Sequence, residues 1–162
     1  MIYVEFVDYL PLIIIVSLIV LTVLSAGLIF LFVYKAEKAK VFKHNLLLQE
    51  HEEKLNKVFE KRLELLAAFD VNAKKLDTPN LYSDISIKVA FKKETDKYIK
   101  SKKCRDVLMN NNAELAQIVN EYNNEVVLFN KLIKRFPDNI ISKRYGYLKR
   151  EIYDENKDYN KE

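Results

Sequence analysis

The sequence predicts an all-α protein, with one N-terminal transmembrane helix continuing into an antiparallel bundle of three to four long helices. Three observations predict it. Residues Leu12 to Tyr34 carry no charge, and 17 of these 23 residues are Leu, Ile, Val or Phe. From Lys35 to Leu76 the chain contains neither Gly nor Pro and repeats a seam every seventh residue. A second seam runs from Cys104 to Phe136 and stops at Pro137.

At about 1.5 Å per residue, a helix over Leu12 to Tyr34 reaches roughly 34 Å, enough for a ~30 Å hydrocarbon core. A cleaved signal peptide fits poorly. Such peptides open with positive charge, whereas Glu5 and Asp8 precede this run without any Lys or Arg. The small cluster Ser25-Ala26-Gly27 lies inside the run, with seven apolar residues still to follow. The stretch reads as a retained anchor. Residues 1–11 form a short outer tail, and Tyr3, Phe6 and Tyr9, with Tyr34 opposite, suit the two interfacial belts. Thr22 and Ala26 make a small-xxx-small pair, a composition also ordinary in such spans.

All 27 Lys and Arg lie beyond residue 34, against 21 of the 23 acids. Lys35, Lys38, Lys40 and Lys43 crowd the C-terminal edge of the span, opposed only by Glu37. The positive-inside rule places the N-terminus outside and the domain at 35–153 in the cytoplasm, on a single-pass protein of the inner cell membrane. The four lysines are expected at anionic lipid headgroups, worth about 1 kcal/mol each. Cys104 is the only cysteine and permits no internal disulfide, which agrees with a reducing compartment. No basic run is expected to be interleaved with exposed aromatics, so no nucleic-acid partner is expected.

In the first seam, Val41, Leu48, Leu55, Arg62, Phe69 and Leu76 recur every seven residues, with His44, His51, Val58, Leu65 and Asn72 as companions. It ends at Asp77-Thr78-Pro79-Asn80, where proline biases Thr78 away from helix. Ser83 or Asp84 then caps a helix with Ile87, Phe91 and Tyr98 on one face. A weaker bend is expected at Ser101-Lys102-Lys103. The second seam comprises Cys104, Leu108, Asn111, Leu115, Ile118, Tyr122, Val126, Phe129, Ile133 and Phe136. Its register persists through Asn110-Asn111-Asn112, so the helix is expected to continue there. Asp138 to Tyr153 is expected to lie back along the bundle, and 154–162 to be a disordered tail.

Little here supports catalysis. His44 and His51 are seven residues apart, whereas two imidazoles on one helix share a metal at spacings of three or four. They suit half-buried seam positions, and no metal or other cofactor is expected. Cys104 has Lys102, Lys103 and Arg105 beside it but no nearby histidine and no helix N-terminus. A buried seam residue is the better reading, and a cysteine-based redox enzyme would require Cys104→Ser to abolish function. Gly27 and Gly146 are the only glycines, too few for a phosphate-cradling loop. Gly146 instead offers a positive φ at a bend. Tyr145 and Tyr147 beside it either dock on the bundle or present a docking surface.

Tyr122-Asn123, Phe129-Asn130, Lys134-Arg135-Phe136-Pro137, Asn139-Ile140-Ile141, Tyr145-Gly146-Tyr147 and Ile152-Tyr153 resemble the ending of the LemA family. That ending reads Tyr-Asn, six residues, Asn, a basic pair with Phe-Pro, Asn-Leu-Ile-Ala, an aromatic-Gly-aromatic step and Tyr-Phe. Order and spacing match from Tyr122 to Tyr153, a fifth of the chain. Upstream, Lys61-Arg62 with Leu65-Leu66 looks like the family's basic pair and Leu-Ile segment. Ala67-Ala68-Phe69 stands where Pro-Asn-Leu would follow. The resemblance implies an N-terminally anchored antiparallel helical bundle and no catalytic residues. Members are often encoded near membrane-bound zinc metalloproteases of a heat-shock type, which implies an accessory role beside such a protease.

The expected function is therefore a non-catalytic membrane scaffold or adaptor whose partner surface lies within Ile140 to Tyr153, with Tyr145, Gly146, Tyr147 and Tyr153 as its binding residues. The alternative is a stress sensor or envelope organiser that self-associates as a homo-oligomer. It rests on Arg62, Asn72 and Asn111, because buried polar seam residues can set register and oligomer state.

Overall fold

The computed structural model describes residues 2–69, 84–100 and 104–157, with side chains from residue 9 onward. Among these residues all regular structure is helical. Helix α1 spans Ile2–Phe69, α2 Ile85–Thr95, α3 Arg105–Leu132 and α4 Asp138–Tyr145. A 3₁₀ helix, Asp96–Lys100, extends α2. The chain divides into two compact units, Met1–Lys40 and Val41–Glu162.

In the first unit α1 is already helical at Ile2, so the stretch expected to be a short tail is part of the helix and Pro11 lies inside. The large apolar side chains from Leu12 to Val33 are exposed throughout. The segment is long and apolar enough to cross a membrane. The hydroxyls of Ser17, Thr22 and Ser25 donate to the carbonyls of Ile13, Ile19 and Thr22 on their own helix. Those hydroxyls thus need no water, a condition hydrocarbon imposes.

In the second unit the first seam buries Val41, Leu48, Leu55 and Arg62, as its spacing predicts. Phe69 is exposed at the end of α1. The buried companions lie mainly four residues on, at Asn45, Phe59 and Leu66, rather than three. His44, His51 and Leu65 are half-buried, and among the described companions only Val58 is fully inside. A straight α-helix lags a seven-residue repeat by about 20° per heptad. That drift carries the +4 positions toward the centre of the face and the +3 positions away from it.

α3 supplies the opposing face. It runs unbroken through Asn110 to Asn112, with Asn111 inward and Asn110 outward. Leu115, Tyr122, Val126 and Phe129 pack with Leu48, Leu55 and Phe59 of α1, Val89 and Phe91 of α2, and Tyr153. His44 meets Glu125, while Arg62 meets Asn111. As numbers rise along α1 they fall along α3, so the two helices run antiparallel. A smaller cluster of Leu66, Cys104 and Leu108 closes the other end.

Three local expectations are corrected. The second seam predicts helix as far as Phe136, but α3 ends at Leu132 and Phe136 is exposed. Pro137 disfavours helical geometry at the preceding residue, and residues 133–137 form turns instead. On α2 the buried face is Ile85, Lys88, Val89, Phe91, Lys92 and Thr95, with Ile87 only half-buried. Tyr98 falls in the 3₁₀ segment, whose three residues per turn remove it from the α register. Cys104, expected away from any helix start, is the N-cap residue of α3, and Leu108 N–H donates to its carbonyl. The turn at Asp77 to Asn80, Asn72, Leu76, Ser83 and the bend at Ser101 to Lys103 lie outside the described residues. Helix ends at Lys100 and resumes at Arg105.

Candidate functional site

The segment after α4 is held by two asparagines of α3. Asn123 and Asn130 are seven apart, about 10.5 Å along a helix. Arg150 and Tyr153 are three apart, about 10 Å in extended chain. The distances match, and each side-chain amide binds one backbone residue twice. Asn130 Nδ2 donates to the Arg150 carbonyl at 2.8 Å, and Arg150 N–H donates to Asn130 Oδ1 at 2.9 Å. Asn123 makes the same two bonds with Tyr153, both 2.8 Å. Tyr122 Oη donates to the Glu151 carbonyl between them at 2.9 Å. Side chains here perform the pairing that a neighbouring strand would perform in a sheet.

Gly146 turns the chain into this segment. Its φ of 70° and ψ of 24° are left-handed, the positive φ its sequence context suggests. Gly146 N–H donates to the Lys143 carbonyl and Tyr147 N–H to the Ser142 carbonyl, the two bonds of a Schellman helix end. The tyrosines then separate by environment. Tyr153 is 3% exposed and packs on Phe59, with ring centroids 6.3 Å apart. Tyr147 is half-buried, edge-on to Phe129 at 6.1 Å. Tyr145 is 42% exposed and stacks on Tyr147 at 6.2 Å. Of the four residues assigned to the partner surface, Tyr145 and Gly146 lie open and Tyr153 belongs to the core.

A second polar constellation surrounds Arg62, whose side chain is wholly buried. It donates to Thr95 Oγ1 at 2.6 Å, Asn111 Oδ1 at 3.0 Å, Asn112 Oδ1 at 2.6 Å and the Asp96 carboxylate. Lys92 bridges Asp96 at 2.8 Å and Glu155 at 2.9 Å, so the two cations meet two anions. Glu155 falls in the stretch that composition assigns to the tail, and residues 155–156 form a turn. Burial pulls the Arg62 guanidinium below its usual value, against the charge and hydrogen bond of Asp96. Burial also works against the Lys92 charge, yet the hydrogen bonds to Asp96 and Glu155 leave it raised.

His44 Nδ1 lies 2.6 Å from Glu125 Oε1, and His51 Nδ1 lies 3.9 Å from Glu121. The histidines thus face separate carboxylates four residues apart on α3. Among the described residues no three metal-ligating side chains come together. A polar cleft of about 320 Å³ opens between Glu52, Asn56, Asp84, Lys88 and Arg150, with Glu52 and Arg150 paired at 3.5 Å. Its charges balance, and buried Lys88 is held below its ordinary value by desolvation. Of the lysines that follow the apolar stretch, Lys35, Lys40 and Lys43 are exposed and Lys38 is half-buried. Lys40 pairs with Glu37 at 3.3 Å.

Sequence reasoning placed Asn123 and Asn130 only within a family pattern. Their clamp had one local signal, two asparagines a heptad apart, each directly following a seam aromatic. No protein-family model, curated protein or solved structure matches the chain.

Proposed function

We propose that this is a single-pass membrane protein of LemA type, displaying an antiparallel helical bundle in the cytoplasm as a non-catalytic scaffold or adaptor. The observation that carries the reading is α1. One helix holds an uncharged stretch whose apolar side chains are uncovered and, further on, the seam at the core of the second unit. Exposed apolar area of that extent calls for hydrocarbon around it. The Lys35 to Lys43 cluster supports the inward orientation and contact with anionic headgroups. The partner is a membrane or cytoplasmic protein, and the family resemblance points to a membrane metalloprotease. Tyr145 at the Gly146 bend is the side chain best exposed to meet it.

Self-association through polar seam residues is the less favoured reading. Arg62 and Asn111, two of the three residues that motivated it, spend their hydrogen bonds within one chain. Photo-crosslinking in intact cells tests both readings, with a probe at Tyr145 and a control at buried Phe129. The adaptor reading expects one recurrent membrane protein joined to the Tyr145 probe and none to the control. Adducts only with copies of the chain would replace it with the self-associating one.

A further inference from the structure

We infer that the elbow between α3 and α4 is a second lipid-binding surface, laying one end of the helical unit on an anionic phospholipid bilayer. This rests on the single-pass reading and adds a contact that the anchor does not supply.

Composition is the first argument. Phe136 is 70% exposed, Leu148 77% and Ile140 50%. Six cations stand among them, Lys131, Lys134, Arg135, Lys143, Arg144 and Lys149, and all are exposed. The only acid from Lys131 to Lys149 is Asp138, which is 1% exposed. Single exposed apolar side chains are ordinary on protein surfaces. Three large ones set among six exposed cations, with no exposed acid in the same stretch of chain, form an interfacial pattern, apolar groups entering the acyl boundary while Lys and Arg meet headgroup phosphates.

Position is the second argument. His44 faces Glu125 across antiparallel helices. From Glu125, α3 climbs seven more residues to Leu132, about 10 Å further toward the Val41 end of the unit. The elbow follows there, and the clamp of Arg150 on Asn130 holds Leu148 at the same end. Six residues separate Tyr34 from Val41. Even fully extended they keep Val41 within roughly 25 Å of the end of the apolar stretch. The patch therefore sits at the end of the unit that the chain tethers to the bilayer. The far end, at Phe69 and Cys104, has no such tether.

The chain contains no tryptophan, so one introduced Trp is a unique reporter. Full-length Phe136→Trp and Leu148→Trp replace exposed side chains, and Phe30→Trp reports on the span. Each is reconstituted into vesicles of phosphatidylglycerol and phosphatidylcholine, or of phosphatidylcholine alone, with bromine at shallow or deep acyl positions. The docking proposal expects both elbow reporters, Phe136→Trp and Leu148→Trp, to be blue-shifted and quenched by shallow bromine in the anionic vesicles. Adding Lys134→Gln and Arg135→Gln should lower the docked-to-free ratio roughly 25-fold, about five-fold per cation removed.

Unquenched elbow reporters beside a quenched Phe30→Trp would overturn the docking and leave the anchor standing. If Phe30→Trp is unquenched too, the anchor reading fails and the docking falls with it. Elbow reporters that ignore lipid but respond to added RNA would replace the bilayer with a nucleic-acid partner.

Discussion

Asp96 is the residue on which the buried charges depend, since its carboxylate meets both Arg62 and Lys92. Burial raises its carboxyl, but the hydrogen bond and charge of Lys92 and the charge of Arg62 more than offset that and hold it below its ordinary value. A carboxyl depressed in the folded state adds stability that is present above its unfolded pKa. That stability is lost as pH falls through the lower folded value. Urea unfolding of the full chain in mild detergent should therefore show stability falling as pH drops below about 4. Asp96→Asn should be less stable at neutral pH and show a shallower acid slope. An unchanged slope would mean that Asp96 carries no charge-linked stability. Sequence alone marked Arg62 and Asn111 as polar seam residues but supplied no partners for them. Thr95, Asp96 and Asn112 lie 33 to 50 residues from Arg62, and only the packing of three elements brings them to one point.

At the scale of elements, the two long seams were legible because burial repeats at helical spacing. The continuity of α3 through three asparagines was legible for the same reason. What misled was the assumption of a strict repeat. The buried companions on α1 moved from +3 to +4 through the helix's own lag, and α2 lost register where it tightened into 3₁₀. The clamp was not legible locally, because Asn123 and Asn130 act on backbone far along the chain. It yields a sharp expectation. Asn130→Ala removes two hydrogen bonds and should cost about 1–3 kcal/mol. The loss should be local, with amide exchange speeding at Arg150 and its neighbours while Leu115 and Val126 keep their protection. Uniformly faster exchange over the whole unit would show that the clamp is part of the global fold.

For the whole molecule, sequence was most informative about the apolar stretch and least about what its second unit meets. Composition settles whether a helix can enter hydrocarbon, whereas a partner is recognised by surface that folding assembles from distant residues. The proposed sidedness rests on the lysine cluster and is open to test. Asn156→Cys in a Cys104→Ser background should resist a membrane-impermeant maleimide in intact cells and react once they are permeabilised. Labelling in intact cells would invert the proposed topology. The antiparallel register of α1 and α3 also sets a timetable during synthesis. At roughly 5–20 residues per second, Asn111 leaves the ribosome about 2–10 s after Arg62, but Glu125 follows His44 by about 4–16 s. Partners are 49 residues apart in the first case and 81 in the second. The face of α1 nearest the apolar stretch thus waits longest for its cover, so on the nascent chain it is the section most in need of a chaperone.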